Sequence, residues 1–317
     1  MSGDRPLLLF DVDGVLLQEV GYYRTLAITC AHFYEQICEA MGIPPSLPLR
    51  ADATSMADVE RLREAFLPAS LLRLLRSRAL NSNWDKTYAI VLAMRVLSPE
   101  VLTSDSLQTS IFAVLSDTSG SGNRYLRQLE HMVNVSDHKL FEQVYEVFQQ
   151  VHLGPWPTVP FLHRGMIEFD EPMVEKNELL KTFQNLQNQS FLMGIGTGRP
   201  WKEVKMPLEA LGLLRFFQPD RIVTIDEVRK AEDREGLAPF SLAKPHPYTY
   251  IRGANEYSPD DVYVIGDSLS DQLAANDAGF HFIGIGHASA FSDARTNPHA
   301  VIDHVLHLPS VLVNNGG

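Results

Sequence analysis

A short apolar segment near the start of the chain has the length and composition of a buried strand. Leu7–Phe10 is entirely apolar, Val12 continues it, and Gly14 follows with a turn signal. A strand buried on both faces reads as a continuous apolar run, because neither row of its side chains faces water. Asp11 and Asp13 stand at its carboxyl end. The pattern therefore predicts a strand inside a parallel sheet, with acidic residues where the strand ends.

Between about residues 22 and 154 the apolar positions follow the spacing of helices. Apolar residues recur three and four positions apart, which places them along one face of a helix. The pattern predicts helices over residues 58–80, 84–97, 123–135 and 137–153, the last of them capped by Ser136. A glycine and three prolines follow over residues 154–160. We therefore predict a block of helices that ends in this segment.

After residue 160 the pattern alternates between strand-length apolar runs and helical spacing. Strands are predicted over residues 191–195, 221–225, 262–265 and 280–285. Helices are predicted over residues 175–188, 201–211, 247–257 and 271–278. Such alternation is typical of a parallel sheet with helices on both faces. We therefore predict an α/β fold with a Rossmann-like parallel sheet core formed by residues 1–20 and 160–317, into which residues 21–159 are inserted as an α-helical domain.

The composition of the 317-residue chain is that of an ordinary folded protein. Hydrophobic residues make up 45% and charged residues 21%, which is enough for a core in one large or two modest domains. The formal net charge is -12. Binding a nucleic-acid backbone requires a concentrated basic face. We therefore predict that nucleic acid is not a partner.

The N-terminal apolar run and the two cysteines bear on where the protein resides. Leu7–Phe10 is too short for a signal-peptide core or a membrane span. Cys30 and Cys38 lie on a helical stretch, about 12 Å apart at the helical rise per residue, which is too far for a disulfide. Two thiols without metal-ligand spacing fit a reducing compartment. We expect a cytoplasmic protein that makes no membrane contact.

Polar residues stand at four points where predicted strands end or predicted helices begin. The four segments are Asp11-Val12-Asp13-Gly14, Gly196-Thr197-Gly198-Arg199, Lys244-Pro245 and Gly266-Asp267-Ser268-Leu269-Ser270-Asp271. Ligands of such sheets bind at the carboxyl ends of the strands, because those ends meet at one edge. We therefore predict that the four segments converge on one pocket.

This set of segments, in this order, resembles the haloacid dehalogenase-like hydrolase superfamily. The resemblance is to the phosphatase branch of this superfamily, which includes phosphoglycolate phosphatases and beta-phosphoglucomutase-like proteins. In this branch a helical cap domain is inserted after the first motif. Asp11-x-Asp13 is similar to the first motif, Thr197 to the second, Lys244 to the third, and residues 266–271 to the fourth. The resemblance covers the core, and it implies that residues 21–159 form the cap domain.

Phosphate-ester chemistry explains why these residue types occur together. A carboxylate that attacks a phosphoryl group brings two anions together, so a cation is required. Mg²⁺ prefers oxygen ligands, which Asp11, Asp267 and the backbone carbonyl of Asp13 can supply. Asp11 would form an aspartyl-phosphate. The resemblance implies that Asp13 protonates the leaving oxygen and then activates the water.

The remaining motif residues hold the phosphoryl group rather than react with it. Thr197 can donate a hydroxyl hydrogen bond, and Lys244 can place a positive charge on the phosphoryl group and on the Asp11 carboxylate. Gly198, like Gly14 and Gly196, is expected to let the backbone approach a phosphate. The family pattern implies that Asp271 supports the metal site or orients Lys244.

Two features of the sequence admit more than one interpretation. Arg199 either grips the substrate or is an exposed arginine at the start of a helix. Residues 83–86, with the sequence Asn-Trp-Asp-Lys, open a predicted helix of the inserted domain. They either face the pocket or form an ordinary helix start with a packed indole.

Asp13 also bears on the reaction, because displacement of a halide needs no proton donor whereas displacement of an alcohol does. The sequence therefore predicts a magnesium-dependent phosphohydrolase acting on a small phosphorylated metabolite. A phosphomutase with the same residues remains an alternative, as does a binding protein that has kept the fold. The sequence does not determine whether the chain forms homo-oligomers.

Overall fold

A computed structural model of the chain describes residues 5–53, 55–78, 80, 82–134, 139–155, 165–237, 241–291 and 297–313. The chain divides into two compact units. One, here called the sheet unit, comprises residues 1–19 and 170–317, and the other, the helical unit, comprises residues 20–169. The predicted second boundary, at residue 160, lies outside the described residues, whereas the chain passes from the helical unit to the sheet unit between Phe169 and Asp170.

The helical unit is built around its first and fourth helices. Its helices are α1 (Val20–Ala40), α2 (Met56–Phe66), α3 (Ala69–Ser77), α4 (Asn83–Arg95), α5 (Pro99–Leu102), α6 (Leu107–Asp117), α7 (Gly122–Met132) and α8 (Lys139–Leu153). Helix α1 packs against α2, α4 and α8, and nearly every residue of α4 is buried. The helical unit therefore has its own apolar core.

The predicted single helix over residues 58–80 is wrong, because the structure divides it into α2 and α3. Pro68 is the N-cap residue of α3, with extended backbone angles. Proline has no N–H group to continue the preceding helix. Helices α4, α7 and α8 overlap the predicted ones, whereas Ser136 and Asp137, the predicted start of α8, lie outside the described residues.

The sheet unit contains a six-stranded parallel sheet with the order β3-β2-β1-β4-β5-β6. The strands are β1 (Leu7–Phe10), β2 (Leu192–Gly196), β3 (Ile222–Val223), β4 (Val262–Gly266), β5 (His281–Ile285) and β6 (Ala300–Ile302). The helices are α9 (Lys176–Asn188), α10 (Trp201–Leu211), α11 (Ile225–Glu235), α12 (Tyr248–Ala254), α13 (Leu269–Asp277) and α14 (Leu308–Val313). This architecture confirms the predicted α/β fold with a Rossmann-like parallel sheet.

The register of the sheet fixes which residues share its carboxyl edge. Phe10 at the end of β1 pairs with Ile195 of β2 on one side and with Ile265 of β4 on the other. All four residues of β1 are buried, as the apolar run predicts. The strand order reverses at β1, and in sheets of this kind ligands bind beyond the carboxyl end of the strand where this occurs.

One predicted strand of the sheet unit is shorter in the structure than predicted. The segment predicted as a strand over residues 221–225 is extended only at β3, and Ile225 already begins α11. Thr224 caps this helix, because its backbone N–H and its hydroxyl both donate to the Glu227 carboxylate. Helices α11 and α14 and strand β6 were not predicted.

The structure bears on the predictions about a membrane span and about the two cysteines. Among the described residues, no helix is both long enough and apolar enough to cross a membrane. Cys30 and Cys38 are buried free thiols on α1, as the helical spacing predicts. Burial raises the pKa of the Cys30 thiol, which makes it an unreactive core residue.

Candidate active site

The carboxyl edge of the sheet brings three acidic side chains together. Asp11 extends β1 by one residue, and its N–H donates to the carbonyl of Ile265 at 2.8 Å. Asp267 directly follows β4, and Asp271 lies on the first turn of α13. Carboxylate oxygens of these three aspartates all lie within 4.8 Å of one another. The predicted first and fourth motifs therefore meet in space.

Gly14 permits the close approach of the two strand ends. Its φ is +69°, which L residues with a side chain rarely adopt. A Cβ atom at this position would also collide with the carboxylate of Asp267. Gly14 was predicted to let the backbone approach a phosphate. In the structure the absence of a side chain at Gly14 instead makes room for the Asp267 carboxylate.

Lys244 supplies a positive charge to the acidic group. Its Nζ lies 3.0 Å from Oδ1 of Asp11 and 2.6 Å from Oδ1 of Asp271, and it donates to the carbonyl of Gly196 at 3.3 Å. Burial alone lowers the pKa of Lys244, but the charges of Asp11 and Asp271 outweigh it, so the pKa lies above its ordinary value. Lys244 is therefore a permanent cation beside Asp11.

The Asp271 carboxylate is fully occupied by donors of the protein. Its Oδ1 accepts hydrogen bonds from Lys244 and from the Tyr250 hydroxyl at 2.8 Å. Its Oδ2 accepts from the hydroxyl and the N–H of Ser268, at 2.6 and 3.3 Å, in the capping box of α13. With these positions taken, Asp271 is better suited to hold Lys244 than to bind a metal ion.

Burial opposes ionisation of Asp11 and Asp267 when no metal ion is bound. It raises the pKa of Asp11 to about 7, against the opposing effect of Lys244. Burial, followed by the charge of Asp271, also raises the pKa of Asp267 to about 8. Three neighbouring carboxylates with one cation leave an excess of negative charge. A divalent cation would relieve it, and the donors are all oxygens, which suits Mg²⁺.

The second motif lies at the end of β2. Thr197 is buried, its N–H donates to the carbonyl of Val223 at 3.0 Å, and its Oγ1 accepts from the N–H of Arg199 at 3.2 Å. The Thr197 hydroxyl hydrogen can therefore be donated to a ligand. Gly198 is exposed, and apart from its own atoms and those of its two chain neighbours, no atom of the described residues lies within 4 Å of where its Cβ would be. Gly196 instead packs against the ring of Tyr250.

Arg199 is buried, so the interpretation as an exposed arginine is wrong. Its Nη2 lies 2.6 Å from Oδ1 of Asp13, and its Nη1 lies 2.7 Å from Oδ2 of Asp170. Two residues that contact these motif residues, Asp170 and Tyr250, were not predicted from the sequence. Neither follows a strand or belongs to a motif, and their partners are distant in the chain, so no local signal marks them.

Residues 83–86 lie at the start of α4 in the helical unit. Ser82, not Asn83, is the N-cap residue, and its Oγ accepts from the N–H of Asp85. The Trp84 indole is buried and packs edge-on against Tyr145 at a ring distance of 5.3 Å. Lys86 is buried and donates to Asn83. These contacts agree with the interpretation as a helix start with a packed indole.

The Tyr250 hydroxyl allows a test of the hydrogen bonds to the buried Asp271 carboxylate. Burial and the charge of Asp271 raise the pKa of Tyr250 well above its ordinary value, so the hydroxyl remains a donor. We expect Tyr250→Phe to lower the free energy of unfolding by about 2 kcal/mol, because a buried carboxylate loses a hydrogen bond. Urea denaturation measures this change. Tyr248→Phe, outside the network, is the control, and an equal loss in both variants would contradict the assignment.

The sequence matches the haloacid dehalogenase-like hydrolase family over residues 6–279. The match covers most of the chain, so the protein belongs to the haloacid dehalogenase-like hydrolase family. The resemblance inferred from the motifs is thereby confirmed. Phosphoglycolate phosphatase of Pasteurella multocida (strain Pm70) is 26% identical over 133 residues, which cover 41% of this chain and 54% of that protein.

Two further similarities agree with the family match. Pyrophosphatase PpaX of Bacillus mycoides (strain KBAB4) is 27% identical over 118 residues, which cover 37% of this chain and 48% of that protein. A crystal structure from the Northeast Structural Genomics Consortium has a TM-score of 0.69 and 24% identity, covering 98% of both chains. The structural similarity shows the fold. The chain spans about half the length of the curated relatives it matches.

Proposed function

We propose that the protein is a magnesium-dependent phosphohydrolase that uses Asp11 as its nucleophile. The observation that carries the proposal is the position of Asp11 at the carboxyl end of the central strand, with Lys244 at 3.0 Å and Asp267 close by. Lys244 neutralises part of the charge that a carboxylate and a phosphoryl group would bring together.

In the first step an oxygen of Asp11 attacks the phosphorus atom, and the ester bond to the leaving oxygen breaks. Asp13 gives its proton to that oxygen, which leaves as an alcohol. Lys244 and the Thr197 hydroxyl hold the phosphoryl oxygens during the transfer. The product is an aspartyl-phosphate on Asp11.

In the second step water hydrolyses the aspartyl-phosphate. Asp13, now ionised, takes a proton from the water as it attacks phosphorus, and the bond to the Asp11 oxygen breaks. Asp11 and Asp267, with the backbone carbonyl of Asp13, would hold the Mg²⁺ ion. When bound, the ion offsets negative charge on the carboxylates and on the phosphoryl group. Asp271 keeps Lys244 in place throughout, through the bond at 2.6 Å.

The names of two curated relatives support a substrate class. The two curated relatives are named for phosphoglycolate and for pyrophosphate, whose leaving groups differ. What the two names share is a small phosphorylated molecule with a terminal phosphoryl group. We therefore propose a small phosphorylated metabolite as substrate, without assigning its leaving group.

Removal of the metal ion is expected to abolish turnover. Dialysis against EDTA should reduce phosphate release from p-nitrophenyl phosphate by ~100-fold or more, because Lys244 is the one cation seen beside the three described carboxylates. Millimolar Mg²⁺ should restore it. Circular dichroism of the EDTA-treated protein checks that the fold is retained, and undiminished turnover in EDTA would refute the metal requirement.

The same assay addresses the two alternatives left open by the sequence. A phosphomutase uses the same residues but returns the phosphoryl group to its substrate, so it releases little inorganic phosphate. A binding protein that has kept the fold turns over no phosphate ester. Release of stoichiometric phosphate from a panel of metabolites would exclude both alternatives.

A further inference from the structure

The guanidinium of Arg199 joins two carboxylates of the sheet unit. Its Nε donates to both oxygens of Asp13 at 3.1 Å, and its Nη2 donates to Oδ1 of Asp13 at 2.6 Å. On its other side, Nη1 donates to Oδ2 of Asp170 at 2.7 Å and to the carbonyl of Glu203 at 3.1 Å. The planar fork of arginine therefore fixes the plane of the Asp13 carboxylate.

These three side chains differ sharply in their exposure to solvent. The side chains of Asp170 and Arg199 are 0% and 1% exposed, whereas the side chain of Asp13 is 27% exposed. Arg199 and Asp170 thus form a buried ion pair. The third member is the Asp13 carboxylate, which is partly exposed to solvent and lies two residues after Asp11 in the chain.

The backbone beside Asp170 is tied to the backbone beside Asp13. The N–H of Gln18 donates to the carbonyl of Glu171 at 2.8 Å, and the N–H of Met173 donates to the carbonyl of Leu16 at 3.0 Å. The segment that follows Asp170 is therefore paired with the segment that follows Asp13. This pairing fixes Asp170 where it can hold Arg199.

We infer that Arg199 and Asp170 are positioning residues that hold the Asp13 carboxylate in the direction required for proton transfer. The inference rests on the proposed function, in which Asp13 exchanges protons with the leaving oxygen and with water. A partly exposed aspartate on a loop would otherwise occupy several rotamers. Proton transfer requires the donor within hydrogen-bond reach of the acceptor, so a wrong rotamer is inactive.

The consequence depends on the leaving group of the substrate. When the P–O bond of phenyl phosphate breaks, the departing oxygen takes the proton of Asp13. The oxygen of 2,4-dinitrophenyl phosphate departs as a stable anion and needs no proton. Displacement of Asp13 should therefore slow transfer from the first ester and spare transfer from the second. A general loss of structure would slow both.

The experiment compares kcat/KM for the two esters, since this ratio reports the steps up to formation of the aspartyl-phosphate. In magnesium-loaded protein, Arg199→Lys and Asp170→Asn are expected to lower kcat/KM for phenyl phosphate by ~10-fold or more, which is part of the ~10²- to 10⁴-fold contribution of general acid catalysis. For 2,4-dinitrophenyl phosphate the expected loss is under about threefold. Asp13→Ala should give the same pattern with a larger loss.

Arg221→Lys is the matched control, because Arg221 binds the backbone carbonyls of Gly253 and Ala254 away from Asp13. It is expected to show no dependence on the leaving group. Asp170→Asn removes the charge that holds Arg199 but keeps the shape of the side chain, so it tests the inference even if Arg199→Lys fails to fold. Thermal melting shows which variants are folded.

A double variant separates positioning from an independent effect. Adding Arg199→Lys to Asp13→Ala should cause no further loss on phenyl phosphate, because Arg199 acts through Asp13. Additive losses, or equal losses on both esters in folded variants, would overturn the inference. Failure of the proposed function would appear differently, as absence of turnover in the wild type or as persistent turnover in Asp11→Asn.

Discussion

Replacement of Asp11 by asparagine is expected to abolish turnover of phosphate esters, with a loss of ~10⁴-fold or more. The amide oxygen of asparagine is a far weaker nucleophile than a carboxylate, and the amide is a poorer metal ligand. In the wild type, acid-quenched protein should carry a phosphoryl group on the peptide that contains Asp11. Mass spectrometry of the quenched protein and phosphate release in steady state measure the two effects.

The Asp11→Asn variant is also expected to fold. Asparagine has nearly the same shape as aspartate, and burial already raises the pKa of Asp11 to about 7. The folded protein therefore tolerates a neutral group at this position. Lys244 keeps its bond to Asp271, so we expect the melting temperature to remain within a few degrees of the wild type.

Asp220→Asn is the matched control for Asp11→Asn, since Asp220 is an exposed aspartate on a short turn of the same unit. It should retain full turnover. If Asp11→Asn also retained turnover, the nucleophile would be another group, and the phosphoryl group found by mass spectrometry would lie elsewhere in the chain. That result would reject the mechanism while leaving the fold and the family membership intact.

The sheet could be predicted from the sequence because its strands are buried on both faces. Leu7–Phe10 and Val262–Gly266 have almost no polar residue within them, so burial alone marks them as strands. Strand β3 has only two residues, too few for any periodicity to appear. The predicted strand there extended into α11 because Ile225 is apolar and continues the run.

The convergence of the motifs could be predicted for a related reason. Residues that directly follow parallel strands lie at one edge of the sheet, whatever their separation in the chain. That rule predicts that Asp11 and Asp267 lie close together. In the structure Phe10, which precedes Asp11, pairs with Ile265, two residues before Asp267. Lys244 follows no strand, so this rule alone does not place it. The sequence marks it only as a residue before a predicted helix, and its role beside Asp11 is what the family resemblance implies.

The partners of Arg199 could not be predicted, because nothing local determines them. Asp13 lies 186 residues from Arg199 in the chain, and Asp170 lies 29 residues away. Whether an arginine after a strand is buried depends on which carboxylates the fold places beside it. The pairing of the chain beside Leu16 with the chain beside Met173 creates that environment, and it is a tertiary contact without periodicity.

Replacement of Lys244 by methionine is expected to lower kcat by ~10³-fold, because a charge aimed at the phosphoryl group is lost. Methionine fills a similar volume but carries no charge. Lys181→Met is the matched control, since Lys181 is an exposed lysine of the same unit that pairs only with its helix neighbour Glu178 among the described residues. The control should retain the activity and the stability of the wild type.

The stability of Lys244→Met should depend on pH in a direction that the site predicts. Lys244 lowers the pKa of Asp11, against the burial that raises it from 3.8 to about 7. Without Lys244 the pKa of Asp11 in the folded protein should rise further. The folded state then binds a proton more tightly than the unfolded state, so stability present below pH ~4 is lost as the pH rises through the folded-state pKa.

The melting temperature of metal-free Lys244→Met should therefore fall further below that of the wild type at pH 8 than at pH 5. Measurement in EDTA isolates the carboxylates from the effect of a bound ion. Between pH 5 and 8 the lysine itself stays charged in both folded and unfolded wild type, because its pKa is raised above 10.5 in the fold. The pH dependence thus reports the carboxylates. A pH-independent difference would show that Lys244 stabilises the fold by packing and not by its charge beside Asp11.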